Sequence, residues 1–216
     1  GLQEATIDED LEMPNMALPR YSDIPPIAAP ERSIQAAADL FIQASKPLVL
    51  GGRCGRLPGT TDILNEFIEI TGSAFQEGKD VVNLATNHPQ NMTGGFGASK
   101  ETKVRSEADL ILVVDNQDIA DMLGNYGAAR GGGYGVILSE ADGQNKKIID
   151  LSLNDFSIDK WAAIGGALPP VDVHLCADPI YGLKQLLDEL KTRAFQNARW
   201  IDTAKMRAKS LKERHK

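Results

Sequence analysis

Cysteine is scarce in this chain, which contains only Cys54 and Cys176 among its 216 residues. The two cysteines lie far apart in the sequence, and neither belongs to a set of Cys and His residues at spacings typical of a metal site. This pattern argues against a disulfide framework and against a zinc site. A reducing compartment fits such a chain best, and we expect it to be cytoplasmic.

Two other features are missing as well. No apolar run approaches the ~20 residues that a membrane-spanning helix needs, and the opening Gly-Leu-Gln-Glu does not resemble a signal peptide. An excess of basic residues is also missing, because the formal net charge is -7. Since nucleic-acid binding relies on clustered Lys and Arg, we expect neither a nucleic acid nor a membrane as the main partner.

The remaining composition indicates one folded domain with charged ends. Hydrophobic residues make up 42% of the chain, which is enough for one well-buried core at this length. Residues 1–30 are acidic and repeatedly interrupted by proline, which predicts an extended linker. Residues 193–216 are rich in Lys and Arg and predict a basic helical linker to a following domain. The domain itself is expected over residues 31–192.

Both ends of the chain predict connections to other segments. The C-terminal bases fit a solvated helix face, and they also fit a patch for an anionic partner. A first residue that is Gly1 rather than methionine fits a segment of a longer protein, although a tag or processing would give the same start. We therefore expect flanking domains.

Helix-like and strand-like segments alternate between these ends. Apolar residues at helical spacing predict four helices, over residues 31–44, 60–71, 99–108 and 179–190. Gly72 is expected to end the second helix. Asp178 is expected to cap the last helix, with Pro179 at its first position.

The strand-like segments are short and apolar. They cover residues 47–50, 73–76, 109–114, 147–152 and 171–176. The run at 109–114 predicts a central strand, whereas the alternation at 171–176 is typical of an edge strand. Strands alternating with helices predict an α/β fold, a Rossmann-like doubly wound parallel sheet of about six strands with helices on both faces.

Ligands of such sheets lie beyond the carboxyl ends of the strands, so the turns there are the candidate sites. In the first turn, Gly51, Gly52 and Gly55 allow a tight turn close to a ligand, and Arg53 and Arg56 have the charge to pair with phosphate. The turn matches neither G-x-G-x-x-G nor the P-loop pattern. A phosphate site and a purely structural turn both explain it.

The second candidate turn spans residues 87–97. Gly94, Gly95 and Gly97 precede a predicted helix, whose N-terminus is a place where an anion is favoured. His88 lies beside Pro89 and is more typical of a turn residue than of a catalytic base. This turn is the second candidate for binding a cofactor.

The third candidate turn follows the predicted central strand and begins Asp115-Asn116. A carboxylate at this place has the chemistry to bind a ribose hydroxyl, and Asn116 is the neighbouring candidate for a cofactor contact. Acidic residues that cap the next helix explain the same sequence.

Taken in order, these segments resemble the central domain of thiamine diphosphate-dependent enzymes of the acetolactate synthase type. The resemblance covers roughly residues 31–190, and its segments follow one another in the same order as in the family. The matching segments are Ala44–Gly52, His88–Pro89 with Met92–Gly97, Glu107–Val114, Lys147–Ser152 and Val173–Asp178.

The resemblance implies a three-domain lyase or transferase that acts on a 2-oxo acid or an acyl donor by decarboxylation, C–C cleavage or carboligation. In that family, the flanking domains hold thiamine diphosphate and Mg²⁺, and the enzymes are homodimers or homotetramers. This chain would organise those domains, and no catalytic or metal-binding residue is predicted in it.

The chain departs from the family in three places. Flavin-carrying members have a Gly-x-Arg-Phe-Asp-type turn where this chain has Asp115 to Asp118, and two carboxylates would repel a diphosphate. Bound FAD or ADP is therefore doubtful. The family's Gly-Asp-Gly metal signature is missing, since the nearest string, Ala141-Asp-Gly143, has no Asn at the matching distance. The glycine-rich residues 125–145 are longer than the family pattern and predict a loop near a neighbouring subunit.

Two other interpretations stay open. One is a free-standing nucleotide-binding protein, in which the turns at Gly51 to Arg56 and Gly94 to Gly97 hold FAD, ADP or NAD. The other is an interaction module that has the same sheet and no ligand.

Overall fold

The computed structural model describes most of the predicted domain. It covers residues 25–56, 58–78, 81–94, 99–116, 119, 146–153 and 171–215. Several residues named in the predictions lie outside the described ones. They are Gly95, Gly97, Asp118, residues 125–145 and residues 1–24 of the predicted acidic linker. The predictions made for those residues stay predictions.

The sheet is parallel throughout and has five strands within the described residues, close to the predicted six. The strands are β1 (Pro47–Gly51), β2 (Ala74–Glu77), β3 (Leu110–Val114), β4 (Lys147–Ser152) and β5 (Val173–Cys176). Their order across the sheet is β2-β1-β3-β4-β5. The predicted central strand is confirmed as β3, and the predicted edge strand is confirmed as β5.

Five α-helices with both ends among the described residues accompany the sheet, and a short 3-10 helix covers Cys54–Arg56. The α-helices are α1 (Glu31–Gln43), α2 (Thr60–Thr71), α3 (Ser99–Glu107), α4 (Pro179–Phe195) and α5 (Ala198–His215). None of them is long and apolar enough to cross a membrane.

The sheet has helices on both faces because its strands are apolar on both sides. Val49 and Leu112 belong to the core with α1, α2 and α4, whereas Leu48 and Ile111 belong to a second core that includes Val104 of α3. Neighbouring residues of a strand point to opposite faces, so a continuous apolar run supplies both cores. The α/β class predicted from the alternating segments is confirmed.

Local signals end and begin the helices as predicted. Gly72 follows α2 with φ of 63°, a left-handed conformation that favours glycine. Asp178 precedes α4, and its Oδ1 accepts a hydrogen bond from the Ile180 N–H at 3.1 Å. Pro179 occupies the first helical position, where its missing N–H costs nothing.

The basic C-terminal segment packs back onto the domain. Trp200 and Ala204 of α5 are only 4% and 2% exposed. The Trp200 indole N–H donates to the Phe41 carbonyl at 3.3 Å, and Nη1 of Arg207 donates to the Ala44 carbonyl at 3.0 Å. Within the segment predicted as a basic helical linker, Ala198–His215 forms a helix that is docked on the domain, and its role as a linker to a following domain stays a prediction.

Candidate functional site

The strand order places the candidate site between β1 and β3. The crossover from β1 leads to β2 on one side, while β3 lies on the other side, so a crevice is expected at their carboxyl ends. Gly51, Gly52 and Arg53 stand at the end of β1, and Asp115 and Asn116 follow β3. The fold therefore brings the first and third predicted turns together.

The two turns meet through their backbones. The N–H of Gly52 donates to the Val114 carbonyl at 2.8 Å, and the N–H of Arg53 donates to the Asp115 carbonyl at 2.9 Å. A Cβ at Gly52 would lie 2.2 Å from the Asp115 carbonyl oxygen. Glycine is required here because one backbone approaches another, whether or not a ligand is present.

Charge in the crevice is compensated internally. Nη2 of Arg53 lies 3.5 Å from Oδ1 of Asp115, whose side chain is 5% exposed. Asp115 has φ of 51°, in the left-handed region that Asp tolerates better than most residues. Because this carboxylate is close, the Arg53 guanidinium offers a weaker field to an anionic ligand than an unpaired cation would.

Asn83 closes the first turn from the other side. Its Nδ2 donates to the Gly52 carbonyl at 2.9 Å and to Oε2 of Glu77 at 2.6 Å, and its Oδ1 accepts from the Gly55 N–H at 2.7 Å. Asn83 and Glu77 are not among the residues predicted from the sequence. Asn83 stands in no periodic pattern or motif, whereas the position of Glu77 directly after the predicted strand at residues 73–76 was a signal that would have found it.

The N–H groups of the first turn are therefore largely engaged. Gly52, Arg53 and Gly55 each donate to an oxygen of the protein, whereas a phosphate cradle needs such donors for its ligand. The diphosphate of FAD or ADP would have to displace these bonds and tolerate Asp115. Nε of Arg53 is buried without an acceptor among the described residues, but the backbone donors that a diphosphate would need are engaged, so the described part of this turn does not form a dinucleotide cradle. The side chain of Arg56 lies outside the described residues.

Cys54 also lies in this turn but is not a reactive thiol. Burial raises the pKa of Cys54 to about 12, and the charges of Asp115 and Glu77 add to the effect. Its Sγ donates a hydrogen bond to Oδ1 of Asn83 at 3.2 Å. Because the thiolate is the nucleophile, Cys54 has no nucleophilic role near neutral pH.

This difference between the two cysteines predicts a labelling result. At pH 8 we expect a disulfide reagent such as Ellman's reagent to modify Cys176, which is partly exposed, and to leave the buried Cys54 unmodified in the folded protein. Absorbance should report one thiol per chain, rising to two in denaturant. A Cys176→Ser variant serves as the control and should show no rapid reaction. Rapid modification of Cys54 in that folded variant would contradict the assignment.

The second predicted turn lies along the outer edge of β2. The Phe75 N–H donates to the Gln90 carbonyl at 2.9 Å, and the Met92 N–H donates to the Phe75 carbonyl at 2.7 Å. The Glu77 N–H donates to Oγ1 of Thr93 at 2.8 Å, so the chain reaches Gly94 beside the end of β2. This segment covers the outer edge of β2, which would otherwise be exposed.

His88 has a structural hydrogen bond in the same turn. Its Nδ1 accepts from the Gln90 N–H at 3.2 Å, and its Nε2 lies 3.6 Å from Oε1 of Glu69. These contacts agree with the prediction that His88 is a turn residue and not a catalytic base.

A further polar group lies on the neighbouring strands β4 and β5 and was not identified from the sequence. The register pairs Asp150 with His174, and Nδ1 of His174 lies 3.6 Å from Oδ2 of Asp150. The Ser152 hydroxyl donates to the same Oδ2 at 3.1 Å. Strand alternation was the signal that would have placed Asp150 and Ser152 on one face. Chemically, the group can orient the His174 ring and contact a polar ligand.

No metal site is formed by the residues that the structure describes, because none of their His, Cys, Asp and Glu side chains gather in a group of three or more able to hold an ion. The Ala141-Asp-Gly143 string lies outside the described residues.

Comparison with known proteins supports the fold. No family model and no curated protein sequence matches this chain. A solved structure from Mycobacterium smegmatis, of a protein assigned as a thiamin diphosphate-dependent enzyme, is similar with a TM-score of 0.55 and 19% sequence identity. The similarity covers 78% of this chain and 29% of that chain, so the present chain spans less than a third of its neighbour's length. At this level of identity, the likeness establishes a shared Rossmann-like α/β fold.

Proposed function

We propose that this chain is the central scaffold domain of a thiamine diphosphate-dependent enzyme of the acetolactate synthase type. The observation that carries the proposal is the pattern of coverage, in which most of this chain matches only 29% of a larger thiamin diphosphate-dependent protein. One domain of a three-domain enzyme would match in this way. The ordered segments from Ala44–Gly52 to Val173–Asp178 support the same assignment.

In this proposal the chain acts by holding other domains in register. The complete enzyme acts on a 2-oxo acid or an acyl donor by decarboxylation, C–C cleavage or carboligation, and it is a homodimer or homotetramer. Thiamine diphosphate, bound with Mg²⁺ by the flanking domains, supplies stabilisation of a carbanion. The engaged N–H groups of Gly52, Arg53 and Gly55 support a structural role for the β1–β3 crevice.

The coding sequence on either side of this chain tests the proposal directly. We expect a thiamine diphosphate-binding domain before Gly1 and another after Lys216, with the Gly-Asp-Gly metal signature in one of them. An initiator methionine immediately before Gly1 together with a stop codon after Lys216 would overturn the proposal.

A nucleotide-binding protein is the second candidate, because β1 and β3 form the switch point where sheets of this order bind ligands. Isothermal titration of the chain with ADP, FAD and NAD distinguishes the two. We expect the titrations to show no binding with a micromolar dissociation constant, because the backbone N–H donors of the first turn are already engaged. Micromolar binding that is lost in an Arg53→Gln variant and retained in a Lys184→Gln variant would instead favour the nucleotide-binding protein. Lys184 is an exposed residue of α4 and controls for the change in net charge.

A further inference from the structure

A cavity lies at the amino ends of the strands β1 and β2, whereas the candidate site lies at the carboxyl ends of β1 and β3. It has a volume of about 190 Å³ and is lined by residues that lead into β1, by α3 and by α5. This volume is many times the ~10–15 Å³ that a single water molecule requires. The cavity is therefore large enough for a small organic molecule.

Arg207 of α5 is the unusual residue in the lining. Its Nη1 donates to the Ala44 carbonyl at 3.0 Å, which uses one edge of the guanidinium. Its Nε and Nη2 are buried and find no acceptor among the described residues. Charged donors that are buried without an acceptor lose their hydration, which destabilises the protein as it stands. Both atoms have almost no accessible surface as the side chain stands, so the guanidinium would have to turn toward the cavity to bind an oxyanion, and that binding would remove the cost.

The nearby carboxylates make their hydrogen bonds with groups other than Arg207, while the charge of Asp109 still acts on the Arg207 guanidinium. Asp109 accepts hydrogen bonds from the N–H groups of Ser45 and Lys46, at 2.7 and 2.8 Å. Glu107 lies 3.3 Å from Nζ of Lys46 and 3.1 Å from Nη2 of Arg214. Burial works to raise the pKa of Glu107, but these two cations outweigh it and hold the pKa below its ordinary value. Glu107 therefore stays charged and paired with both.

The lining as a whole favours an anion with an apolar body. Its charged members are Lys46, Arg207 and Arg214 against Glu107, which leaves an excess of positive charge. Much of the remaining wall is apolar and includes Leu48, Val104 and Leu211. An inorganic ion would leave this apolar wall unused, whereas a short organic chain would cover it.

We propose that this cavity binds a small organic anion, with its carboxylate or phosphate head on Arg207 and its apolar body against Leu48, Val104 and Leu211. The site does not depend on the proposed function, because every residue in it belongs to this chain. Arg207 provides a planar pair of donors of the kind that binds oxyanions in two places.

Titration of the chain with butyrate and with butyl phosphate tests this site, and the response of the two probes distinguishes a carboxylate head from a phosphate head. We expect saturable binding of at least one probe by calorimetry, and no binding of butanol, which lacks the anionic head. An Arg207→Gln variant should bind about tenfold more weakly or worse, because the paired donors are lost. A Lys209→Gln variant, which changes an exposed base of the same helix, should bind as the unchanged protein does.

If Arg207→Gln affects folding, a second variant that leaves Arg207 in place still tests whether the probes bind in this cavity. Ser210 lines the cavity but is itself exposed, so Ser210→Phe should narrow the cavity without disturbing the core. We expect it to abolish probe binding while circular dichroism stays unchanged. Saturable binding that is equal in the unchanged protein, Arg207→Gln and Ser210→Phe would overturn the proposal. Absence of saturable binding of both probes to the unchanged protein would overturn it as well.

Discussion

Replacement of Gly72 by alanine is expected to lower the free energy of unfolding by about 2–5 kcal/mol, the combined cost of left-handed strain and overpacking. Gly72 has φ of 63°, and a Cβ there would lie 2.2 Å from the Ala204 carbonyl oxygen of α5. The backbone of α5 would have to move away from the end of α2. Urea unfolding measures the loss, and hydrogen exchange of α5 measures its release.

A Gly72→Asn variant separates the two causes. Asparagine tolerates the left-handed conformation better than alanine, but it carries the same Cβ. We expect Gly72→Asn to remain strongly destabilised and α5 to exchange faster in both variants. Recovery of stability to that of the unchanged protein in Gly72→Asn would show that α5 does not pack against this glycine.

Replacement of Gly52 by alanine is expected to cost about 1–3 kcal/mol, the usual range for overpacking, with a value at its upper end. The Cβ would meet the Asp115 carbonyl oxygen at 2.2 Å and the Asn116 backbone nitrogen at 2.8 Å. Since Gly52 is not among the glycines with positive φ, this cost is steric. Chemical denaturation measures it, and the two hydrogen bonds between the turns should exchange faster.

Gly59→Ala is the matched control for this variant. Gly59 has φ of 82° and nothing within 4 Å of the added Cβ, so the control reports backbone strain without a collision. We expect it to cost about 1–2 kcal/mol and to leave exchange at the β1–β3 junction unchanged. If Gly52→Ala is as stable as the unchanged protein, the close contact of the two turns is absent in solution.

The elements of the sheet were predictable because their signals are local. Thr60–Thr71 was predicted from its apolar spacing and from Gly72, and the structure ends α2 at the same residue. Lys147–Ser152 was predicted as a strand and is observed with the same bounds. In both cases, the residues that define the element are its immediate neighbours in sequence.

The candidate site was predictable only in part. The sequence identified Gly51 to Arg53 and Asp115 to Asn116 as turns at the ends of strands, and the fold places them side by side. It did not identify Asn83, which accepts from the Gly55 N–H that a phosphate would need and donates to the Gly52 carbonyl. Such a partner is 28 to 31 residues away along the chain, so no spacing rule connects it to the turn.

The sequence by itself determined the alternation of helices and strands, the scarcity of cysteine and the glycines at the turns. The tertiary structure alone decided what those glycines do, because their neighbours come from other strands and helices. At Gly51 to Arg56 these neighbours are Val114, Asp115 and Asn83, and they close the turn into a junction of the sheet. The tertiary structure alone also decided where the basic C-terminal segment lies, because docking of α5 places Arg207 in the wall of a cavity.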